Sequence, residues 1–257
     1  MLKKFWNLGV RMISTRTIGY DHIDVEVAKR IGFHISHVTY SPECVADYTL
    51  MLMLMCIRKM KRIMQREELN DFSLPGIRGR ELHGFTVGVI GTGRIGQGVA
   101  RRCRGFDMKI LCYDIYENEA FKKECNAKYV DLSTLLKESD FITIHSPLTP
   151  ETKDMIGARE FDMMKNDAVI VNTARGGIIN EEALYEALKS GSIRGAGLDA
   201  TVDEPPYDSP LMTLPNCILT PHAGAATKEA SSKMSLMAAQ NVVDVLTTGD
   251  CKYKVNP

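Results

Sequence analysis

Three residues of this sequence can do chemistry and stand in comparable places: Arg175 in "AVIVNTARGG", Glu204 in "GAGLDATVDEPP" and His222 in "CILTPHAG". Each follows a short apolar, β-prone run. Histidine is the side chain that changes charge near neutrality without large perturbation, so His222 can hand a proton to a reacting oxygen or take one away. A carboxylate hydrogen-bonded to it, here Glu204, would orient the ring and favour its protonated form. Arg175 carries a planar fork of donors that grips a carboxylate through two parallel hydrogen bonds. Gly176 and Gly177 beside it are read as keeping the space clear for a ligand and its cofactor. The set suits reduction of a keto acid, with a grip for the acid group and a proton donor for the keto oxygen.

Such a reduction needs a hydride carrier, and the sequence offers a place for one. The run "TVGVI" leads directly into "GTGRIGQG", which sets Gly91, Gly93 and Gly96 as G-x-G-x-x-G between a strand and a helix. In that context Gly91 permits the tight turn, Gly93 the approach of a pyrophosphate and Gly96 close packing of helix on strand, with the helix N-terminus aimed at the phosphates. Asp114 comes 18 residues after Gly96, at the end of "KILCYD". A carboxylate there accepts both ribose hydroxyls and repels a 2′-phosphate. No Lys or Arg follows until Lys122, which favours NAD over NADP.

The elements that must position these residues are legible as alternation. Six apolar runs, at 86–90, 109–113, 141–145, 168–172, 195–199 and 217–220, are separated by helical patterns, one of them capped by Asn180 and stopped by Gly191. Continuously apolar strands separated by helices imply a parallel sheet covered on both faces, the doubly wound α/β class. Ligands of such sheets sit beyond the carboxyl ends of the strands, so Arg175, Glu204 and His222 should share one edge with Gly91 and Asp114. Before the sheet, Ser41 and Pro42 read as the cap and first position of a helix. That helix is expected to run through "LMLMLMCI" towards Asn70, with "RKMKRIMQREE" as a solvated continuation, until the break "LPGIRGRELHG". A long closing helix is expected in "TKEASSKMSLMAAQNVVDVLTTG".

Composition excludes other classes. A length of 257 residues allows one large domain or two small ones, and 32 basic against 32 acidic residues give no field favouring nucleic acid or an anionic membrane. The seven cysteines are odd in number and scattered without C-x-x-C, the usage of reduced thiols in a cytoplasmic protein. Asn7 and Arg11 interrupt any signal-peptide core, and "LMLMLMCI" is eight residues where a membrane span needs about 20. His34 and His37 lack a Cys or carboxylate to complete a metal set, so no metal is expected. His22, His83 and His145 read as structural, although His145 adjoins a Ser-Pro where a cofactor could pass.

"GVIGTGRIG", "NTARGG", "DEPP" and "TPHAG", in this order and spacing, resemble the NAD-dependent D-2-hydroxyacid dehydrogenases over nearly the whole chain. The resemblance implies that Arg175 binds the substrate carboxylate and polarises its carbonyl, that His222 is the acid/base, and that Glu204 is its partner. It implies dinucleotide contacts at Gly91, Gly93, Arg94, Ile95, Gly96, Asp114, Ser146, Pro147, Thr152, Thr173, Ala174, Arg175 and Asp199. "STRTIGYDHID" is similar to the loop whose amides, here around Ile18 and Gly19, meet the substrate carboxylate, and Tyr40 is similar to a residue lining that pocket. The implied domains are a Rossmann-type NAD-binding domain over 42–224 and a partial, flavodoxin-like substrate domain over 1–41 and 225–257. Family members begin with further strands and helices, so an N-terminally shortened substrate domain with an exposed strand edge is expected. A homodimer is also implied.

Subfamily signals are mixed. "STRTIGYDHID" and "YSPECVADYTLMLMLM" are similar to D-lactate dehydrogenases and 2-keto-acid reductases of the vancomycin-resistance type, whereas "EPPYDSPLMTLPNCILTPHAGAAT" is closer to glyoxylate, hydroxypyruvate and phosphoglycerate enzymes. The expectation is hydride transfer between NAD(H) and a small 2-keto or 2-hydroxy acid, pyruvate or a close relative. The alternative is an NAD-binding module without turnover, either a truncated remnant or a dinucleotide-sensing interaction protein. A formate dehydrogenase is disfavoured, because that branch does not use the Glu204 and His222 pair in this way.

Overall fold

The computed structural model describes residues 1–20 and 22–255 and falls into two compact units, Met1–Ser41 with Ala225–Pro257, and Pro42–Gly224. The first unit starts with α1 (Leu2–Asn7), β1 (Met12–Ser14), α2 (Val25–Ile31) and β2 (His34–Ser36). Asp24 caps α2 by accepting the Val27 N–H, and left-handed Gly32 stops it. β1 and β2 pair in parallel, and Phe33, Ile35 and Ala28 are buried with Trp6 packed on them. The closing helix of this unit, numbered α10 in chain order, is Lys228–Thr248, capped by the Thr227 side chain and ended by left-handed Gly249. It meets the strands of its unit through Ser14 Oγ on the Ala238 carbonyl (3.1 Å) and Asn241 Nδ2 on the His37 carbonyl (2.9 Å).

In the second unit, α3 (Glu43–Ile57) and α4 (Met60–Glu67) replace the single helix expected from Ser41–Pro42 to Asn70. Helical structure starts at Glu43, with Pro42 just outside it, and breaks at Lys59, whose φ of 55° is left-handed. Polar contacts hold the break: Lys59 Nζ donates to the Gly76 carbonyl, and Lys61 Nζ to the carbonyls of Met212, Leu214 and Cys217 at 3.1, 2.8 and 2.8 Å. Four charge-assisted contacts outweigh the small cost of one non-glycine residue in that region.

Then follow β3 (Thr86–Ile90), α5 (Arg94–Arg104), β4 (Lys109–Tyr113), α6 (Glu119–Cys125), β5 (Lys128–Tyr129), α7 (Leu132–Glu138), β6 (Phe141–Ile144), α8 (Ala158–Met163), β7 (Val169–Asn172), α9 (Glu181–Ser190), β8 (Gly195–Leu198), a 3-10 turn (Pro210–Thr213) and β9 (Cys217–Leu219). The strands form one parallel sheet in the order β5-β4-β3-β6-β7-β8-β9. Successive side chains go to opposite faces, as the pleat requires. Val87, Val89, Phe141, Val169 and Val171 join Leu52 and Met53 of α3 in one apolar layer, while Ile90, Ile142, Ile144 and Ile170 join Leu135 and Leu184 in the other. Both layers are dry, which is why the strands read as unbroken apolar runs.

Two elements escape that reading. β5 has two residues, too few to show a period, and α6 is announced only by Asn118, whose side chain accepts the Phe121 N–H. None of the seven cysteines, all within the described residues, forms a disulfide. Burial pushes the thiols of Cys103, Cys112 and Cys217 up to about 12 and raises Cys56 as well. Among the described residues no helix is long and apolar enough to cross a membrane, and no group of three or more His, Cys, Asp or Glu could hold a metal ion.

Candidate active site

Because every strand of the large sheet runs the same way, the residues that follow the strands lie along one edge. In spatial order these are Asp114 after β4, Gly91 after β3, Ser146 after β6, Arg175 after β7, Glu204 beyond β8 and His222 after β9. The chain winds from β3 outward through β4 to β5, then returns to β6 on the other side of β3. The strand order therefore reverses between β3 and β6, the position where open sheets of this kind take their ligands.

At that reversal, Gly91 has a φ of +90°, and a Cβ on it would lie 2.7 Å from both the His145 carbonyl carbon and the Ser146 nitrogen. A Cβ on Gly96 would lie 2.0 Å from the Gly91 carbonyl oxygen, so α5 can seat on β3 only without one. Gly93 faces no atom within 4 Å, and α5, which opens with Arg94 and Ile95, has no side-chain cap on its first turn. Open space before an uncapped helix start fits a pyrophosphate. Asp114 accepts from the Thr92 N–H (2.5 Å), the Thr92 hydroxyl (2.9 Å) and the Tyr116 N–H (3.1 Å). Partial burial works to raise this carboxyl, but the hydrogen bonds from Thr92, Tyr116 and Ile115 prevail and hold it below the usual range. A carboxylate has about four acceptor positions. These protein hydrogen bonds already occupy most of them.

His145 N–H donates to the Ile90 carbonyl (2.7 Å), and its Nε2 lies 2.8 Å from the Thr143 hydroxyl. The residue as a whole is only partly buried, yet its Nδ1 is fully enclosed without a partner, as is Ser146 Oγ. Burial pushes the ring down to about 3, so it is neutral at physiological pH. Thr152 shapes the following loop by accepting the Thr149 N–H and donating to the Pro147 carbonyl, both at 2.7 Å.

The Arg175 tip is held by a residue the motif reading passed over. Asn172, 2% exposed at the end of β7, accepts the Ala174 N–H (3.0 Å) and donates to the Arg175 carbonyl (2.8 Å). Thr173 shares a 2.9 Å hydroxyl contact with buried Thr49 of α3, and the Arg175 guanidinium donates to the Ala174 carbonyl (2.8 Å). Gly176 does not clear room for a ligand. A Cβ there would stand 2.0 Å from the Thr201 oxygen and 2.5 Å from the Val202 nitrogen, so this glycine exists to let the loop of Glu204 pass.

On that loop, Glu204 reaches His222: Nδ1 lies 2.9 Å from Oε2 and 3.1 Å from Oε1, with both side chains nearly half exposed at 45% and 41%. His222 sits at a left-handed φ of 54°. Buried Asp199 fixes the surrounding turn, accepting the Thr220 hydroxyl, the Ala223 N–H and the Gly224 N–H, each at 2.7 Å. The Glu204 carboxylate also accepts from the Thr201 N–H (3.3 Å), and the Val202 N–H donates to Glu181 of α9 (2.7 Å).

Ile18, Gly19 and Tyr40 belong to the other unit. Gly19 follows a turn in which its carbonyl accepts the Thr17 hydroxyl (2.6 Å), and Ile18 is 36% exposed. Of the residues missed from sequence, Asn172 had a signal, a polar side chain ending a wholly apolar strand. Thr49, Thr92 and Glu181 had none, because their partners are distant in the chain.

Residues 50–224 match the family described as D-isomer specific 2-hydroxyacid dehydrogenase, NAD binding domain. The chain belongs to this family. This dehydrogenase is 43% identical over 235 residues to the D-specific alpha-keto acid dehydrogenase of Enterococcus faecalis, covering 86% of this chain and 71% of that protein. It superposes on the apo D-lactate dehydrogenase of Escherichia coli with a TM-score of 0.91 at 36% identity, covering 99% of this chain and 81% of that one. With the Aquifex aeolicus D-lactate dehydrogenase complexed with NAD and lactic acid, the TM-score is 0.86 at 37% identity, over 96% and 80% of the two chains. The dehydrogenase is thus an NAD-linked oxidoreductase of 2-hydroxy acids, acting on a CH–OH group, and no comparison supports a dinucleotide-binding module without turnover.

Proposed function

We propose that the chain reduces a small 2-keto acid, pyruvate or a close relative, with residues 42–224 holding NAD(H) and residues 1–41 with 225–257 contributing to the substrate side. The observation that carries this reading is the His222–Glu204 pair at the tips of two adjacent strands, one strand from Arg175, on the edge that bears the glycine turn. NADH, when bound, supplies the hydride. Arg175 grips the substrate carboxylate and polarises the neighbouring carbonyl. Glu204 takes the Nδ1–H of His222, which leaves Nε2 to deliver a proton to the keto oxygen and to recover it in the reverse direction. The family resemblance supports substrate contacts at Ile18, Gly19 and Tyr40 of the other unit. Cofactor contacts fall to Gly91, Gly93, Arg94, Ile95, Gly96, Asp114, Ser146, Pro147, Thr152, Thr173, Ala174, Arg175 and Asp199.

The test is loss of NADH absorbance with pyruvate, hydroxypyruvate and phenylpyruvate. Arg175→Lys should lower kcat/KM for the keto acid roughly a hundredfold, since a point charge replaces a fork. His222→Ala should abolish turnover. His222→Ala should still bind NADH nearly as the parent does, and a collapse of its NADH affinity would overturn the role assigned to His222.

Reduced cysteines support a cytoplasmic location. Association into a homodimer is supported by exposed Leu69, Phe72 and Leu74 (77–78%) on the segment after α4, beside an apolar groove of roughly 880 Å3 along α3 and α4. A second copy is the occupant that accounts for both, since a self-complementary patch closes by two-fold symmetry. Sedimentation should give a dimer that Phe72→Asp dissociates. A monomeric parent would sink this part of the reading.

A further inference from the structure

We propose that Glu181 is a positioning residue for the acid/base pair: its one hydrogen bond to the Val202 amide fixes the loop from which Glu204 reaches His222. The inference rests on the reading of Glu204 and His222 as the pair that handles the proton.

Apart from the Glu204 carboxylate, which meets the Thr201 N–H and His222, three contacts shape the 200–204 loop. Backbone meets backbone where Thr201 and Val202 pass over Gly176, the Thr201 hydroxyl donates to the Asp203 carbonyl (2.8 Å), and the Val202 N–H donates to Glu181 Oε1 (2.7 Å). The third joins the loop to a helix, α9, which is ten residues long, capped by Asn180 and packed through buried Leu184, Ala187 and Leu188. Val202 is 61% exposed, so no apolar packing substitutes for the bond. Glu204 is two residues further on, and the 2.9 Å contact to His222 Nδ1 depends on where that short span is anchored. If the anchor slips, Glu204 no longer stabilises the protonated imidazole, and reduction loses its proton donor at a lower pH than before.

The charged groups on the elements around the ring are Glu204 and Asp203 on the loop, Asp199 beneath the turn, Arg175 on the neighbouring tip, and Glu181 with Glu182 on α9. A simple field effect of Glu181 must therefore be separated from its reach. Glu181→Gln keeps the length and the acceptor oxygen without the charge, whereas Glu181→Asp keeps the charge but falls one methylene short. Both preserve a residue tolerated in the first turn of a helix. Measured on the full chain, with kcat, the pH profile of pyruvate reduction and the NADH Kd as readouts, Glu181→Gln should behave as the parent. Glu181→Asp should lose roughly tenfold in kcat with an unchanged NADH Kd, and the alkaline limb of its profile should move to lower pH. Parent-like behaviour of Glu181→Asp, or impairment of Glu181→Gln with a normal Glu181→Asp, would overturn the proposal. Glu204→Gln serves as the separate arm. If it leaves the alkaline limb in place, the reading of the pair itself fails, whatever Glu181 does.

Discussion

The turn after β3 and the turn after β9 stand on the same edge of one sheet and are built by opposite means. At the first, side chains have been removed: Gly91 and Gly96 let backbone meet backbone at distances no Cβ could share. At the second, a side chain is required at the tip, and His222 takes a left-handed backbone that glycine would adopt freely. Such a conformation costs a β-carbon-bearing residue roughly 1 kcal/mol or more. Three hydrogen bonds to buried Asp199 offset it. The roles proposed for the two turns suit this contrast: a phosphate asks for space and bare N–H groups, whereas a proton donor asks for a fixed imidazole, which here is held by carboxylates.

Substitutions can break that contrast, beginning with the largest effect. Gly96→Ala places a carbon 2.0 Å from the Gly91 oxygen, so NADH affinity should fall by more than about a hundredfold, with several kcal/mol of stability lost. Fluorescence titration and urea unfolding would show both, and an unaltered affinity would refute the steric account of the first turn. Asp199→Asn turns one acceptor into a donor facing donors, which should cost about 2–3 kcal/mol and slow turnover without changing the fold. Equal stability of this variant and the parent would mean the second turn holds itself.

His145, which backs Gly91, provides a pH test. Its folded ring stays neutral down to about 3, whereas the unfolded chain takes up the proton near 6.5. Between those values the unfolded state binds the additional proton, so stability is intact above about pH 6.5 and falls by about 1.4 kcal/mol per unit as the pH drops towards 3. His145→Asn should flatten the melting temperature against pH between pH 5 and 6.5; an unchanged slope would assign the acid sensitivity to other groups. The smallest effect should come from Lys61→Met. It frees the three carbonyls of the stretch leading into β9, should cost about 1 kcal/mol in urea unfolding, and should leave NADH affinity untouched.

What could be read from the sequence follows the range of each interaction. The longer strands of the sheet were legible because both faces are dry, and the sharing of one edge by their carboxyl ends followed from parallel winding. That Arg175, Glu204 and His222 lie beyond the carboxyl ends of β7, β8 and β9 was legible because each comes soon after such a run. Lys59 was not, since its break answers to carbonyls far along the chain. Gly176 was assigned to a ligand when its neighbour is the backbone at Thr201, a contact that no local pattern announces. The same holds for Glu181 and Thr49, ordinary helical residues whose significance lies entirely in what they touch.

The buried sulfurs have a consequence for the molecule's endurance. A thiol attacks an electrophile only after losing its proton, and four of those here are held protonated well beyond neutrality. Peroxide and alkylating agents thus find little thiolate to react with at these four positions.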